Sequence, residues 1–213
     1  MTEDSLWDGM PEQTQLELES ARVRKRYDKG DYLYRAGDTP QGIYLLVSGL
    51  VGLVTLSSSG KEHLVRLFKG GQYFGHRSLF ANEPYHASSH ALEPVECDFL
   101  PKNLILSISK SHPEFGLKVA EKLAKELRRA ELWLGSMTDR QVGERIAEAL
   151  LYLKTAYPEH LWTRREIAEF CGSTTPTIIR TLAQFEEQGF ISQEGRTITI
   201  LNRDALLAKA DVK

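Results

Sequence analysis

An α+β fold is predicted, with an N-terminal antiparallel β-roll or jelly roll, one long helix and a C-terminal winged helix-turn-helix, and three observations predict it. Between residues 27 and 100, short β-prone runs recur with turn residues between them. From 120 to 137, apolar residues are spaced 3, 4, 3, 4, 3. After 163, two short helices, a tight turn and a hairpin follow one another. The 213 residues suffice for two modest domains. The expected division is 1–111 for the roll, 112–137 for the long helix and 138–213 for the winged helix.

The roll rests on runs at 32–34, 43–47, 51–56, 63–68, 72–74, 88–92 and 97–100. Turn residues punctuate them, among them Ala36-Gly37-Asp38, Ser48-Gly49, Lys69-Gly70-Gly71 and Asn82-Glu83-Pro84. Many short strands at regular spacing indicate a small antiparallel barrel. Such barrels can enclose one small ligand, so a sensing role is expected. Upstream, residues 1–26 read as a helical lead-in. Its basic run, Arg22-Val23-Arg24-Lys25-Arg26, reads as a solvated face, with an electrostatic contact as the alternative.

His112-Pro113 opens the long helix. Ala120, Leu123, Leu127, Ala130, Leu134 and Met137 form an a/d seam, with Lys122, Lys125, Glu126, Arg128, Arg129 and Glu131 around it. One alternative is a helix packing on its own roll; the strictness of the stripe favours a partner helix. Residues 136–139 are expected to end it and cap the next helix, whose apolar face is Val142, Ile146, Ala149, Leu150 and Leu153. A short last helix is expected at 202–210.

The stretch 163–188 carries the strongest signal. Thr163 and Glu166 have capping-box spacing. Ile167, Phe170 and Cys171 give one apolar face, and Gly172 ends the helix because glycine accepts the left-handed backbone. Ser173 and Thr174 suit the next N-cap, and Pro176 suits a first turn whose N–H has no partner in the helix. Ile178, Leu182 and Phe185 face a core, leaving Thr175, Thr177, Arg180 and Gln184 elsewhere. An ordinary αα-hairpin shares this pattern. The β-prone runs 190–192 and 197–201 about Glu194-Gly195 add a hairpin, and helix, turn, helix, hairpin is the order of a winged helix, with Arg196 on the wing.

Bulk properties narrow the class. Hydrophobic content of 41% and charged content of 26% are ordinary for a globular protein. No run is long enough to span a bilayer, and the acidic Met1–Ser5 start lacks the order of a signal peptide. Cys97 and Cys171 lie far apart in apolar runs, so a reducing cytoplasm is expected. A helix-turn-helix favours DNA binding only moderately, and charge gives that reading no help: the chain carries a formal −2, and 138–213 holds 10 basic against 11 acidic residues. DNA binding then requires Arg164, Arg165, Arg180 and Arg196 on one surface, with Glu169, Glu186, Glu187 and Glu194 turned away.

This order of roll, long helix and winged helix resembles the Crp/Fnr family of bacterial transcription regulators over nearly the whole chain. The most specific stretches are Gly30-Asp31-Tyr32-Leu33-Tyr34-Arg35-Ala36-Gly37-Asp38, Gly42-Ile43-Tyr44-Leu45-Leu46-Val47-Ser48-Gly49, Gly71-Gln72-Tyr73-Phe74-Gly75 and 163–182. The resemblance implies a cyclic-nucleotide-binding-like roll, a homodimer, double-stranded DNA and RNA polymerase as partners, no membrane, and no catalysis.

The effector pocket implied by position comprises Phe74, Gly75, His76, Arg77, His86, Ala87, Leu127, Ala130 and Glu131. Cyclic-AMP-responsive members carry Gly-Glu where this chain has Gly75-His76, the acid binding the ribose. They carry Arg-Ser, the arginine on the phosphate, where this chain has His86-Ala87. Their Thr-Ser pair, which reaches adenine from the dimer helix, corresponds to Ala130-Glu131. Cyclic AMP is therefore not the expected effector, with Arg77 as a substitute phosphate ligand only from the adjacent position. No cysteine occurs in residues 1–30, which excludes the iron–sulfur cluster of the oxygen-sensing members.

A haem or other small effector stays open, as does a metal held by His76, His86 and His90 in a gas- or redox-sensing regulator. In one strand His86 and His90 would lie about 13 Å apart, too far for one ion unless the segment bends. The alternative is that these are polar or capping histidines. A cupin-like barrel enzyme would need His-x-His, which is absent. A regulatory subunit that only binds cyclic nucleotides would need no winged helix.

For DNA, the resemblance places Thr174, Thr175, Pro176 and Arg180 at base or backbone contacts. Arg180 matches the family's recurrent arginine, suited to guanine O6 and N7. Pro176 replaces the usual glutamate, so the half-site should differ, and Thr175 with Pro176 suits a thymine methyl. Arg164 and Thr177 match phosphate contacts, which fix register. Two-fold symmetry implies a pseudo-palindromic operator with half-sites about 34 Å apart.

Overall fold

Strand alternation and turn chemistry produce two four-stranded antiparallel sheets in the N-terminal part of the chain. The computed structural model describes residues 6, 7 and 9–210, those at 136–139 by backbone alone. Helix α1 (Glu12–Ser20) precedes strands β1 (Val23–Tyr27), β2 (Tyr32–Tyr34), β3 (Gly42–Ser48), β4 (Leu50–Leu56), β5 (Glu62–Lys69) and β6 (Tyr73–Phe74). Helix α2 (His76–Ala81), β7 (Ser88–Ala91) and β8 (Val95–Pro101) complete the roll. One sheet has the order β1-β8-β3-β6 and the other β2-β7-β4-β5.

Inward side chains fill the space between the sheets. Tyr34 stacks on Tyr85 with ring centroids 3.6 Å apart, Tyr44 on Phe74 at 5.1 Å and Phe68 on Phe74 at 5.1 Å. All five are buried, with Leu46, Val51 and Cys97 among them. The space between the two sheets is thus filled largely by aromatic packing. A second core lies where helices cover the first sheet: Trp7, Leu18, Ile43, Tyr73, Leu100, Ile105, Phe115 and Val119 are buried together.

Three points differ from the sequence reading. Residues 22–26 are not part of a helical lead-in, although Arg24 and Arg26 are exposed as expected. Residues 23–27 form β1, paired with β8, because the basic side chains meet acids across the ladder. Arg24 bonds Asp98 at 2.5 Å and Arg26 bonds Glu96 at 2.6 Å. The region 1–111 also holds a helix the sequence reading left out: α3 (Lys102–Ser111), which buries Ile105 and Ile108.

The third correction concerns the long helix, α4 (Pro113–Asp139). Leu123 turns inward and packs on the second core. Ala120, Leu127, Ala130 and Leu134 are exposed as expected, and the Met137 side chain lies outside the described residues. Leu117 (73% exposed), Leu127 (61%) and Leu134 (65%) define the outward stripe, with Ala120 and Ala124 between them. The chain divides into two units, 1–128 and 129–213, so the boundary falls inside α4.

The second unit contains α5 (Val142–Ala156), α6 (Arg164–Cys171), α7 (Thr175–Glu187), β9 (Ile191–Glu194), β10 (Thr197–Ile200) and α8 (Arg203–Lys209). Its core is apolar: Ile146, Leu150, Leu153, Ile167, Ile178, Leu182 and Leu206 are all at most 1% exposed. The cap of α5 is Gln141 with Glu144, rather than a residue of 136–139.

Candidate nucleic-acid interface and effector site

The helix-turn-helix forms for local reasons. The Thr163 hydroxyl accepts from the Glu166 N–H at 3.1 Å, and the Glu166 carboxylate accepts from the Thr163 N–H at 2.7 Å. Burial pushes the Glu166 carboxyl up, but hydrogen bonds from His160 and Thr163 outweigh it and leave it lowered. The capping acid is therefore ionised at neutral pH, where a helix N-terminus favours it. Gly172 ends α6 at φ +62°, a left-handed conformation in which most side chains are strained. Thr174 caps α7, and Pro176 sits in its first turn.

Packing then decides what α7 presents. Ile178, Thr181, Leu182 and Phe185 are buried. Thr174, Pro176, Ile179, Arg180, Ala183 and Gln184 are exposed, and Thr175 and Thr177 half-buried. The Thr177 and Thr174 hydroxyls lie 2.9 Å apart. Ile179, 55% exposed, was missed by sequence reasoning. The signal was its place three residues after Pro176 and beside Arg180.

The four arginines behave differently. Arg180 and Arg196 are exposed, and neither forms an ion pair among the described residues. Arg165 pairs with Glu169 at 2.6 Å, so Glu169 is not turned away from it. Arg164 donates to Gln193 Oε1 at 2.6 Å and to the Arg196 carbonyl at 3.2 Å. Glu186 is likewise engaged, accepting from Gln193. Gln193 and Glu186 carry a role the sequence reading did not give them.

In the first unit, the pocket candidates fall into separate groups. Phe74 is buried in the roll core, as is Ala87. Gly75 takes φ +84° and starts α2, which directs His76 into the interior. His76 is 2% exposed and meets Glu126 of α4 at 3.1 Å. Glu126 also pairs with Arg66 at 2.6 Å, and Lys122 lies 3.8 Å away. Burial alone would raise the Glu126 carboxyl; the His76 and Arg66 contacts reverse that and bring it down to about 2. Neither Arg66 nor Glu126 was expected at this site.

Arg77 is exposed, bonded to Glu83 at 2.9 Å and within 3.3 Å of His86 Nδ1. Desolvation and the Arg77 cation lower the His86 imidazole, which keeps it neutral near pH 7. Leu127 is exposed on α4; Ala130 and Glu131 fall in the second unit, also exposed. His90 lies beside Tyr32, ring centroids 5.6 Å apart. So His76, His86 and His90 have different neighbours. Among the described residues no group of three or more His, Cys, Asp or Glu side chains forms a candidate metal site. Burial pushes the Cys97 thiol up to about 11 and the Cys171 thiol to about 12, which keeps both protonated.

Comparison with known proteins fits both parts. Residues 24–112 match the model of a cyclic nucleotide-binding domain, and 144–209 that of a Crp-like helix-turn-helix domain. The cyclic AMP receptor protein of Thermus thermophilus is 31% identical over 199 residues, covering 92% of this chain and 91% of that protein. The chain belongs to the Crp/Fnr family of transcription regulators.

A further Crp/Fnr relative, the CRP-like cAMP-activated global transcriptional regulator of Mycobacterium tuberculosis, is 25% identical over 193 residues, 86% of each chain. A crystal structure from Eubacterium rectale, assigned to the same family, superimposes with a TM-score of 0.84 over 97% of this chain and 98% of its own. At 18% identity that likeness speaks for the fold alone. As a Crp/Fnr protein the chain is a DNA-binding transcription regulator. Its relatives are regulators rather than enzymes, which removes the cupin-like reading. No described helix is long and apolar enough to cross a membrane.

Proposed function

We propose that this regulator binds a pseudo-palindromic operator as a homodimer, with Arg180 reading bases and Arg196 meeting the backbone, and that cyclic AMP is not its effector. The observation that carries the reading is the pair of exposed arginines, on α7 and on the wing, neither of which meets a carboxylate among the described residues. An unpaired guanidinium keeps its planar fork for guanine or phosphate. Thr174, Thr175, Pro176 and Ile179 share that end of α7, where methyl and ring edges suit thymine. The outward stripe Leu117, Ala120, Ala124, Leu127 and Leu134 supports the homodimer, since three leucines more than 60% exposed on one helix face favour a partner.

The case against cyclic AMP is chemical. His76 stands where a ribose-binding acid would be needed and is already paired with Glu126. The nearest phosphate ligand, Arg77, is engaged by Glu83. RNA polymerase as a partner and a cytoplasmic location follow from the family reading. The test is selection of duplexes from a random pool by purified protein, with and without cyclic AMP. A two-fold symmetric consensus recovered equally in both arms is expected. Recovery only with the nucleotide would overturn the effector reading, and an asymmetric single half-site would overturn the homodimer.

A further inference from the structure

We infer that Gln193 positions the wing tip, and with it Arg196, against the recognition helix α7. This rests on the DNA reading above. Glu194 faces Thr197 across the Gly195-Arg196 turn, so Gln193 faces Ile198 in the next pair. In an antiparallel ladder, hydrogen-bonded and non-hydrogen-bonded pairs alternate. A two-residue turn makes the Glu194–Thr197 pair hydrogen-bonded, so the Gln193 N–H points away from β10. Glu186 of α7 takes it: Oε1 accepts from that N–H at 2.6 Å, and Oε2 accepts from Gln193 Nε2 at 3.0 Å.

The other end of the same amide faces a cation. Gln193 Oε1 accepts from Arg164 Nη2 at 2.6 Å, while Arg164 Nη1 donates to the Arg196 carbonyl at 3.2 Å. Only this amide orientation satisfies both neighbours, with oxygen toward the guanidinium and NH2 toward the carboxylate. The chain Glu186–Gln193–Arg164–Arg196 thus ties α7, β9, α6 and the turn into one unit. A carboxylate at 193 would repel Glu186, an ammonium would repel Arg164, and an alkyl group would leave Glu186 only the backbone N–H and Arg164 only the Arg196 carbonyl. Arg164 is then a positioning residue for the wing, whatever phosphate it also meets.

The measurement is the slope of log affinity against log salt, which counts the phosphates neutralised. Arg196→Ala is expected to lower that slope by about 1 per wing. Gln193→Leu should lower it by the same amount, the double variant should fall no further, and the base preference conferred by Arg180 should stay. The exchange of Glu186→Gln with Gln193→Glu should restore the slope. It rebuilds the chain with acid and amide swapped: the amide, now on α7, receives the backbone N–H and donates to the carboxylate, now on β9, which accepts from Arg164. A merely structural role for Gln193 would not move the salt slope selectively. A Gln193→Leu protein with the wild-type slope and the full Arg196→Ala loss overturns this inference alone. A wild-type protein that selects no duplex overturns the DNA reading and this inference with it.

Discussion

The two ends of the molecule handle charge in opposite ways. At the roll, charged groups near the cassette close on one another: Glu126 gathers His76, Arg66 and Lys122, and Arg77 holds Glu83. On the winged helix, Arg164 and Arg165 are used internally, while Arg180 and Arg196 stay exposed. Desolvated charge needs a partner inside the fold, and solvated charge can wait for one outside it. The first arrangement spends its electrostatics on stability and on tying α4 to the roll. The second keeps them for a ligand.

The sharpest way to break this contrast is Glu126→Gln. Its carboxyl is held near 2, against 4.5 for the free group. A lowered folded value means the stabilisation is fully present above about pH 4.5 and is lost as pH falls toward 2. The shift corresponds to about 3 kcal/mol as an upper estimate. Denaturant unfolding of the wild type should weaken across that window. Glu126→Gln should cost up to about 3 kcal/mol at pH 7 and flatten the acid limb, because Arg66 and Lys122 then face a neutral amide. Unchanged stability at pH 7 would show that the cluster is not internally balanced.

Arg180→Ala probes the other side. It should cost about 1–3 kcal/mol of specific DNA binding and relax preference at one base pair per half-site. Unfolding should move by no more than about 0.5 kcal/mol, since an exposed, unpaired side chain holds nothing in the fold. Affinity measured on the selected operator and on single-base variants checks the first part, and denaturant melts the second. A large loss of stability would mean that Arg180 has a partner within the protein, and the contrast would fail.

How much of this was legible follows the range of the interactions. The helix-turn-helix is written in neighbours: Thr163 with Glu166, Gly172, Thr174 and Pro176 all act within four residues of where they stand. The roll strands were legible through alternation and turn residues. Strand β1 was not, because Arg24 finds Asp98 at a separation of 74 residues, and a basic run without its acids gives no strand signal. Leu123 fits the heptad spacing but packs on the roll, since period alone does not say which of two neighbouring stripes turns inward. The charge cluster was hidden for the same reason: His76 and Glu126 are 50 residues apart. Gln193 could have been found from the hairpin register, which turns its N–H toward α7. Its partner Glu186 was read only by the sign of its charge, which says nothing of an amide partner.

The smallest effect should come from the cap that joins the local and the distant kinds of contact. Thr163→Ala removes the hydroxyl that accepts from Glu166 N–H and donates to its carboxylate at 2.9 Å. The expected cost is about 1 kcal/mol, as for other N-caps, and Thr163→Ser should keep most of it. His160, 3.4 Å from the same carboxylate, stays in place in both variants. Thermal unfolding of the three proteins distinguishes two sources for the ordering of α6. If the hydroxyl sets the helix start, alanine and serine separate clearly. If the buried His160–Glu166 pair sets it, both variants unfold with the wild type, and the start of α6 belongs with the internally closed charges of the roll rather than with the open ones beside it.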